Sequence, residues 1–459
     1  MKKVYFVGIG GSGMLPLARL ALTRGYLVSG SDAKLSSAAL EELRGQGIQA
    51  FGPPDSTRIE DGLVVYSTAI SETHPERQRA VELEKQGRVE LLHRMDFLNK
   101  LVSHCSMRLG MAGTHGKTSS TALAGWMLIQ LQKEPLIIAG GRPLYLDRAI
   151  RNGQTVAVFE TDESDGSFLK SNATHRLILN ADQDHLNFYG NFENLQNAFL
   201  EFAVKGSGTG VIFNAGDSGL VPLRNSTGLA GYRIYENKEQ CLQSQVFLAG
   251  YFPDSDDTLE FRIRWPESRM QEMDFYRFRL SVPGRHFASN ALGVLGLLLL
   301  AFPDLDIDDC IEAMGSFPGT ERRLECLGEY KGIPVYDDYG HHPSEIVAVL
   351  DALAQRFPGH EIRVIFQPHR YTRTRELATE FASSLAHADR VYLLPLYSAG
   401  EEPLDGVDSS LIANQMPENC TATLLDDPGQ VFETEIDGPS IVLFLGAGDV
   451  SQKARALFS

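Results

Sequence analysis

The sequence predicts an α/β protein of three domains, each built on a mostly parallel sheet. Its 459 residues suffice for about three domains of roughly 150 residues each. Stretches with strand character alternate with stretches of helical character along the chain, which is the pattern of parallel α/β sheets. Two glycine-rich turns each stand between a predicted strand and a predicted helix. We place the boundaries near residues 106 and 318, which gives domains at 1–106, 107–318 and 319–459.

Composition and charge restrict the class of protein. The chain carries 42 Lys and Arg against 59 Asp and Glu, a formal charge of −17, and this excess of acid disfavours binding to nucleic acid or to anionic membranes. The longest apolar stretch, Ala291–Phe302, is shorter than the roughly 20 residues that span a bilayer. The five cysteines are scattered without a Cys-x-x-Cys motif, as in a reducing compartment. We expect a cytoplasmic protein, monomeric or homodimeric, without membrane or nucleic-acid partners.

The first domain begins with a strand predicted at Lys3–Val7 and a helix at Met14–Thr23. Further strands are predicted at Leu27–Gly30 and Leu63–Ser67, which are short runs rich in apolar residues. A strand, a glycine turn and a helix in this order are typical of a Rossmann-like domain.

The turn between the first strand and the first helix is rich in glycine. Residues Gly8–Gly13 match the pattern G-x-G-x-x-G, which lets the backbone approach a phosphate and aims helix N–H groups at it. An acid about 20 residues later can bind a sugar hydroxyl. The candidate nucleotide-binding residues are Gly8, Gly10, Gly11, Gly13 and Asp32. The pattern alone predicts a nucleotide with a diphosphate, by default NAD(P); the alternative is a turn that only packs helix on strand.

The second domain opens with a strand predicted at Leu109–Ala112 and a helix at Ser119–Gln132. The segment between them reads Gly-Thr-His-Gly-Lys-Thr, a phosphate loop that lacks the first glycine of the longer G-x-x-x-x-G-K-[ST] pattern. In such a loop the backbone N–H groups surround phosphates, the lysine reaches the β- and γ-phosphates, and the last hydroxyl binds Mg²⁺. The residues of this loop are Gly113, Thr114, His115, Gly116, Lys117 and Thr118. They predict a central domain of the P-loop ATPase-like class.

Acidic side chains follow two further strands of this domain. Strands are predicted at Val156–Phe159, Leu177–Asn180 and Gly210–Asn214, whereas residues 220–279 show no clear pattern. The acids are Glu160, Asp162, Glu163 and Asp165 after the first strand, and Asp182 and Asp184, with His185, after the second. Either cluster alone is more typical of a solvated loop. Beside a phosphate loop, the carboxyl ends of strands are where ligands for Mg²⁺ are expected.

The third domain follows the break Phe317-Pro318-Gly319. Its predicted strands are Pro334–Tyr336, Arg363–Phe366, Arg390–Leu394 and Ser440–Leu445. A helix is predicted at Ser344–Phe357, whose apolar residues recur at the spacing of a core-facing helix. Together these elements predict a second Rossmann-like domain.

Cations cluster after the strand that ends at Phe366. His369–Arg375 contains three arginines in a chain of net negative charge, and arginine suits recognition of planar carboxylates and of phosphate. As a plain surface run at a helix N-terminus these cations would oppose the helix dipole. Two adjacent histidines, His341 and His342, would point to opposite faces of a strand and would rarely share one metal ion. We therefore expect one of them either to bind by hydrogen bonds near the nucleotide or to be a core histidine whose hydrogen bonds are satisfied.

With these motifs in view, the chain resembles the Mur ligase family almost end to end. The shortened phosphate loop is itself a trait of this family. The resemblance rests on the motifs at Gly8–Met14, Ser29–Asp32, Tyr66–Ile70, Gly113–Thr118, Asp162–Phe168, Asp184–Tyr189, Pro283–His286, Glu321–Arg323, Tyr336–Pro343, Phe366–Arg375 and Gly446–Asp449. The last three motifs favour the branch of the family that adds L-alanine.

The resemblance implies a reaction and a role for each matching residue. The reaction is ATP-dependent joining of L-alanine to the lactyl carboxylate of UDP-N-acetylmuramate through an acyl phosphate, with release of ADP and phosphate, in the synthesis of peptidoglycan precursors. The implied groups are Lys117 for the ATP phosphates; Thr118, Glu163 and His185 for Mg²⁺; Asn290 for adenine; Arg323 and Asp338 for phosphates and ribose; His369, Arg370 and Arg373 at the reacting centre; and the first glycine turn with Asp32, Ser67 and Thr68 for the UDP-sugar.

Departures and alternatives stay open at this point. The family has Asn after Pro-Gly-Arg-His, where this chain has Phe287, so stacking or a shifted contact would have to replace that adenine contact. Asn187 replaces an Asp that is usual in the family. The alternative functions are a recycling ligase that adds a peptide to the same sugar nucleotide, an NAD-dependent oxidoreductase that uses the first glycine turn, and a non-catalytic nucleotide-sensing relative.

Overall fold

Three separate sheets, each flanked by helices, make up the fold. The computed structural model describes residues 2–205, 210–226, 228–254, 257–264, 275–418, 420–433 and 438–458. Within these ranges the strands alternate with helices in all three parts of the chain. The predicted α/β class with three mostly parallel sheets is confirmed.

The first sheet has five parallel strands. Its elements are β1 (Lys3–Val7), α1 (Leu15–Thr23), β2 (Leu27–Ser31), α2 (Ser37–Gly45), β3 (Gln49–Phe51), β4 (Gly62–Tyr66), α3 (Pro75–Lys85), β5 (Val89–His93) and α4 (Arg94–Val102). The strand order β3-β2-β1-β4-β5 reverses direction between β1 and β4. In open parallel sheets a crevice for ligands lies at this reversal, outside the carboxyl ends of the strands. The glycine turn follows β1 and therefore lies at that crevice.

The central sheet contains ten described strands. Its strands are β6 (Met107–Ala112), β7 (Pro135–Ile138), β8 (Ile150–Arg151), β9 (Val156–Glu160), β10 (His175–Ile178), β11 (Val211–Asn214), β12 (Ala230–Tyr235), β13 (Leu248–Tyr251), β14 (Leu259–Ile263) and β15 (Tyr276–Phe278). The order is β15-β14-β13-β12-β11-β10-β6-β9-β7-β8. Pairing is antiparallel at β13–β14–β15 and at β7–β8, and parallel between β13 and β7. The stretch that showed no pattern in the sequence thus extends the sheet at one edge.

Seven helices accompany the described part of the central sheet. They are α5 (Lys117–Gln130), α6 (Leu186–Tyr189), α7 (Phe192–Val204), α8 (Val221–Arg224), α9 (Lys238–Gln243), α10 (Arg285–Ala301) and α11 (Ile307–Gly315). Helix α10 contains all of the longest apolar stretch except Phe302, and it packs against α5 and against β10, β11 and β12. It is a buried core helix, which explains its nearly uniform apolar character. Of the helices in the described ranges, none has the combined length and apolar character needed to cross a membrane.

The third sheet has six described strands and reverses direction at its centre. Its elements are β16 (Glu325–Tyr330), β17 (Ile333–Asp338), α12 (Pro343–Arg356), β18 (Glu361–Phe366), α13 (Tyr371–Glu376), α14 (Ala378–Leu385), β19 (Arg390–Leu393), α15 (Ser409–Ala413), β20 (Ala422–Leu424), β21 (Ser440–Leu445) and α16 (Val450–Ala456). The order is β16-β17-β21-β18-β19-β20, parallel except for the β16–β17 pair. The phosphate loop, the glycine turn and the loops after β17 and β18 all leave carboxyl ends of strands.

Most predicted elements are found within one or two residues of their predicted ends. Helix α5 begins at Lys117, two residues before the predicted start, and β17 extends past Tyr336 to Asp338. The structure adds strands that the sequence analysis did not identify, such as β16 and β20, which are edge strands of mixed polarity. The domain boundaries at 106 and 318 stay predictions.

Candidate active site

A cavity of about 360 Å³ lies where the three sheets meet. The first domain contributes Ser12 and Gly13, which follow β1, together with Arg94. The phosphate loop lines the middle of the cavity, and the acidic loop after β9 lines one side. From the third domain come Arg323, Tyr339, His341, His342 and Glu345. The carboxyl ends of strands from all three sheets therefore open into one space, as expected for ligand sites in parallel sheets.

The phosphate loop wraps the start of α5. Gly116 precedes the helix with φ of +82°, a conformation that favours glycine, and a Cβ there would lie 2.5 Å from Nδ2 of Asn290. Asn180 follows β10 and stabilises the loop, because its Oδ1 accepts a hydrogen bond from the N–H of His115 at 2.8 Å. The N–H groups at the helix start and the positive end of the helix dipole face the cavity, which is an arrangement suited to phosphate.

Lys117 is bound within the loop and to a buried acid. Its Nζ donates to the carbonyl of Gly113 at 2.6 Å and to Oε2 of Glu163 at 2.8 Å. The Lys117 side chain is 15% exposed and that of Glu163 is fully buried. Burial opposes the charge on Lys117, but Glu163 and Asp162 raise its pKa, so the lysine stays a cation at the cavity wall.

The phosphate loop, the acidic loop and the loop after β10 together supply a donor set that fits a magnesium ion. Thr118 contributes a hydroxyl, and Glu160 and Glu163 contribute carboxylates in which burial raises the pKa of each group. Nε2 of His185 lies 3.7 Å from Oε1 of Glu163. Oxygen ligands of this kind are those that Mg²⁺ prefers, and a divalent cation would relieve the cost of burying two acids beside one lysine. The predicted metal residues Thr118, Glu163 and His185 are thus close together around Lys117.

His115 lines the cavity, but both nitrogens of its ring are bound by carboxylates. Its Nε2 lies 3.1 Å from Oδ2 of Asp182 and its Nδ1 lies 3.2 Å from Oε1 of Glu345, which belongs to α12 of the third domain. Burial lowers the pKa of His115, but the hydrogen bonds to Asp182 and Glu345 outweigh it and raise the pKa to about 9. The ligand atoms of His115, Asp182 and His342 lie within 4.8 Å of one another, but carboxylates already occupy both ring nitrogens of His115.

A second, more apolar cavity of about 220 Å³ adjoins the phosphate loop. It is lined by Asn290, Phe287 and Asp338, among others. Asp338 is buried and accepts hydrogen bonds from the N–H groups of Gly340 and Leu324; burial raises the pKa of Asp338 to about 6. The size of this second cavity, its apolar wall and its position beside the phosphate loop suit the base and sugar of a nucleotide.

The structure places the predicted UDP-sugar residues around the carboxyl end of the first sheet. Gly13 lines the main cavity. Asp32 accepts the N–H of Gly10 at 3.0 Å and so stabilises the glycine turn itself. Gly8 and Gly11 lie in the same turn, joined by a hydrogen bond of 3.2 Å. Ser67 and Thr68 follow β4, and the hydroxyl of Thr68 donates to Asp165 of the central domain.

Arg94 was not identified from the sequence. Its Nη2 donates to Oδ2 of Asp162 at 2.8 Å and lies 3.3 Å from Oδ2 of Asp165, and the side chain is 16% exposed. Although burial favours the neutral acid, Lys117 and Arg94 hold the pKa of Asp162 well below its usual value. Arg94 thus connects the glycine turn, at Gly13, to the acidic loop. The sequence offered one signal for Arg94, namely a basic residue directly after a strand and at the start of a helix.

The predicted cations of the third domain lie beside the main cavity and not in its wall. His369 stacks on Tyr397 with ring centroids 5.7 Å apart, and its ring lies 6.2 Å from that of His341, which does line the cavity. Burial lowers the pKa of His369 to about 4, so the ring is neutral. Arg370 immediately precedes α13, with φ of +73°, and is exposed, whereas Arg373 is half-buried.

The expectation that the two histidines after β17 lie in a strand and point to opposite faces is wrong. His341 and His342 lie in the loop before α12, and His342 is the residue that precedes the helix. Both line the main cavity because a loop, unlike a strand, imposes no alternation of side chains. Glu345, Asn180 and Tyr339 also belong to this site but were not singled out, since acids, amides and tyrosines in loops are common.

Three family models match the chain. "Mur ligase family, catalytic domain" matches residues 3–105, "Mur ligase middle domain" matches residues 111–298, and "Mur ligase, glutamate ligase domain" matches residues 322–448. Each matched range contains one of the three sheets or most of it.

Relatives and solved structures match over nearly the full length. The UDP-N-acetylmuramate–L-alanine ligase of Carboxydothermus hydrogenoformans is 35% identical, with 98% of this chain and 95% of that protein covered. The crystal structure of the UDP-N-acetylmuramate–alanine ligase MurC of Thermotoga maritima is similar with a TM-score of 0.79 at 25% identity, covering 100% and 98% of the two chains. A murein peptide ligase of Psychrobacter arcticus shares the fold, with a TM-score of 0.66 at 19% identity and coverage of 100% and 98%. The identity, extended over all three domains, shows that this chain belongs to the Mur ligase family.

Proposed function

We propose that this chain is an ATP-dependent ligase that joins L-alanine to the lactyl carboxylate of UDP-N-acetylmuramate, in the synthesis of peptidoglycan precursors. The observation that carries the proposal is the single cavity shared by the glycine turn, the phosphate loop and the third domain. Relatives that match the whole chain bear the name of this activity. A carboxylate bound on one side and a triphosphate bound on the other would meet in this space.

The first step transfers the γ-phosphoryl group to the carboxylate. A carboxylate oxygen attacks the γ-phosphorus, the bond to the β-phosphate oxygen breaks, and ADP leaves with that electron pair. Both reactants are anions, so cations must offset their repulsion, and the work is positioning and electrostatic stabilisation. Lys117 is placed for the phosphates at the loop, and Arg323 lines both cavities. The smaller cavity, with Asn290, Phe287 and Asp338, takes the adenosine.

Magnesium would be held by Thr118, Glu163 and His185, and when bound it would screen the phosphate charge. Gly113 and Gly116 would contribute backbone groups to the phosphates. Asn180 binds the backbone N–H groups of Thr114 and His115, and two carboxylates engage the His115 ring, so these two residues would fix the shape of the loop around the phosphates.

The UDP-sugar binds at the first domain. The glycine turn, with Gly8, Gly10, Gly11 and Gly13, receives the diphosphate at the N-terminus of α1, and Asp32, Ser67 and Thr68 flank it. The acid end of the sugar then projects toward the acidic loop, where Arg94 offers a guanidinium in the cavity wall.

The second step forms the amide. The neutral amine of L-alanine attacks the acyl carbon, the bond from that carbon to the phosphate oxygen breaks, and inorganic phosphate leaves with the electron pair and takes up the proton that the nitrogen loses. His369 is neutral and stacks on Tyr397 beside the cavity, where its ring would shape the position of the amino acid. Arg370 and Arg373 supply positive charge for the carboxylate of the amino acid or the leaving phosphate.

We infer a cytoplasmic location for the same chemistry. The reaction uses ATP, and the five cysteines are free thiols in the structure, three of them buried. This fits a reducing compartment. The chain acts as a monomer or a homodimer.

Release of phosphate is the decisive assay. We expect phosphate only when ATP, Mg²⁺, UDP-N-acetylmuramate and an amino acid are all present, with L-alanine turned over faster than glycine or L-serine. Turnover of a peptide in preference to L-alanine would replace this function by the recycling ligase. Oxidation of NADH with no phosphate release would replace it by the oxidoreductase.

A further inference from the structure

Glu345 occupies a position that neither the first nor the last step of the proposed reaction explains. It lies in the first turn of α12, its side chain is 17% exposed, and both of its oxygens are engaged. Oε2 accepts the backbone N–H groups of His341 at 2.9 Å and of His342 at 3.2 Å. This half of the contact is a local helix cap within the third domain.

The other oxygen of Glu345 leaves the third domain. Oε1 lies 3.2 Å from Nδ1 of His115, which is part of the phosphate loop in the central domain. The opposite nitrogen of His115 lies 3.1 Å from Asp182, in the loop after β10, and Asp182 also accepts a hydrogen bond from the hydroxyl of Ser344 at 3.1 Å. The imidazole is therefore held between one carboxylate of each domain.

We propose that Glu345 is a positioning residue of this site: its carboxylate ties the start of α12 to the phosphate loop through His115 and so places His341 at the cavity. His341 lines the main cavity and its ring lies 6.2 Å from that of His369. The loop that carries His341 has its N–H groups fixed by Glu345, while the same carboxylate is fixed by the phosphate loop. Together with the hydrogen bond from Ser344 to Asp182, this side chain sets the register between the nucleotide and the reacting groups of the third domain. The expected change in kcat rests on the proposed function, whereas the expected change in amide exchange of the phosphate loop does not.

Charge makes this contact stronger than an ordinary cap. Burial opposes ionisation of Glu345, but the hydrogen bond to His115 and the charges of His341, His115 and Arg323 hold the pKa of Glu345 well below its usual value. Hydrogen bonds between ionised partners are roughly twice as strong as neutral ones. A charged carboxylate is therefore needed for the link to the phosphate loop, whereas any side chain with an amide or carboxylate oxygen suffices for the cap.

This difference separates a positioning role from a merely structural one. Glu345→Gln keeps an oxygen for the cap, because glutamine serves at this position of a capping box, but it removes the charge that binds His115. Glu345→Ala removes both contacts. Asp351→Asn is the matched control, since Asp351 lies on the same helix, is 53% exposed and pairs at 3.2 Å with His387 of its own domain.

Hydrogen exchange and kinetics together test the proposal. In Glu345→Gln we expect amide exchange in residues 113–118 to rise about tenfold relative to Asp351→Asn, while exchange at the start of α12 changes little. We also expect kcat for phosphate release to fall about tenfold with KM for UDP-N-acetylmuramate unchanged. Glu345→Gln combined with His115→Gln should be no slower than the slower single variant, because both changes break one link.

The outcomes are distinguishable from failure of the proposed function. Unchanged exchange of the phosphate loop in Glu345→Gln, with loss of stability only in Glu345→Ala, would overturn the inference and leave Glu345 as a cap. Additive losses in the double variant would also overturn it. If the wild-type protein releases no phosphate, the proposed function fails, and the exchange measurement alone still decides whether Glu345 holds the loop.

Discussion

Lys117 and Glu163 form a buried ion pair beside the position proposed for the triphosphate. Two oxygens of the acid lie 2.8 Å and 3.0 Å from Nζ, and no part of the acid side chain is exposed. A buried ion pair adds little net stability compared with apolar side chains in its place, but removing one partner leaves a buried, unpaired charge. The effect of Lys117 on stability can therefore be separated from its effect on phosphate by removing Lys117 alone or together with Glu163.

We expect Lys117→Met to lower phosphate release at least about 100-fold, because the cation at the phosphates is lost. The variant should also lose of the order of 3 kcal/mol of stability, because Glu163 is left unpaired. Binding of UDP-N-acetylmuramate, measured by calorimetry, should stay within twofold of wild type, since that site lies in the first domain.

The double variant Lys117→Met with Glu163→Gln is the matched control. It should regain most of the stability, measured by urea unfolding, without regaining turnover. Activity equal to wild type in the single variant would contradict the assignment of Lys117 to the phosphates.

The pH dependence of stability reports on His115. The groups facing its ring are Asp182, Glu345, His342 and Ser344. Because the two carboxylates raise the pKa of His115 from 6.5 to about 9, its contribution to stability is complete below pH 6.5 and is lost as the pH rises through 9. The difference in melting temperature between wild type and His115→Gln should therefore shrink between pH 7 and pH 10. A difference that grows over this range would contradict the ion-pair arrangement.

At the scale of elements, the start of α5 is set by one glycine. Gly116 has φ of +82°, and a Cβ there would lie 2.5 Å from Nδ2 of Asn290. The turn therefore requires glycine for two reasons, backbone conformation and the close approach of α10. This explains why the residue proposed for the adenine lies directly against the phosphate loop although about 170 residues separate them in the chain.

Gly116→Ala has a matched control in Gly359→Ala. Gly359 has the same φ of +82° but open space around a new Cβ, so its variant should lose only the backbone cost, about 1–2 kcal/mol. Gly116→Ala should lose more than this in urea unfolding and should bind ADP at least about tenfold more weakly by calorimetry, because Asn290 is displaced. Equal losses in both variants would show that the contact with Asn290 is unimportant.

For the molecule as a whole, Arg94 joins the first domain to the central one. The buried apolar side chains of the two domains are also continuous, since one cluster contains Phe6 of β1 and Phe159 of β9. A second cluster joins Leu109 of the central sheet to Leu443 of the third. Apolar packing therefore holds the three domains together, and the polar contacts at the cavity add to that packing.

Arg94→Gln should weaken the contact between the first and central domains. It removes the guanidinium that binds Asp165 and leaves Asp162 with Lys117 alone, so we expect a loss of about 3 kcal/mol and a separate, earlier transition of the first domain in calorimetry. Lys100→Gln is the control, because Lys100 lies on the same helix as Arg94 and pairs with Glu90 of β5 in an exposed contact that is worth about 0–1 kcal/mol. A single transition at the wild-type temperature in Arg94→Gln would contradict the role of this link.

Sequence reasoning identified the local features that repeat a short physical pattern. The glycine turn, the phosphate loop and the alternating strands are predictable because each depends on neighbours within about ten residues. Edge strands such as β16 and the contacts of Glu345, Arg94 and Asn180 were not identified. Nothing in a segment of ordinary acids, amides and bases says which distant segment it faces.

The sequence by itself determined the α/β class, the location of the phosphate loop and the candidate cations and acids, because glycine geometry, charge and hydrophobic periodicity act over short stretches of chain. Only the tertiary structure decided that His115 binds Glu345 of the third domain, that Arg94 reaches the acidic loop, and that Asn290 lies against Gly116. These contacts depend on how three sheets pack against one another, and that packing is the summed result of many weak apolar contacts that no single motif encodes.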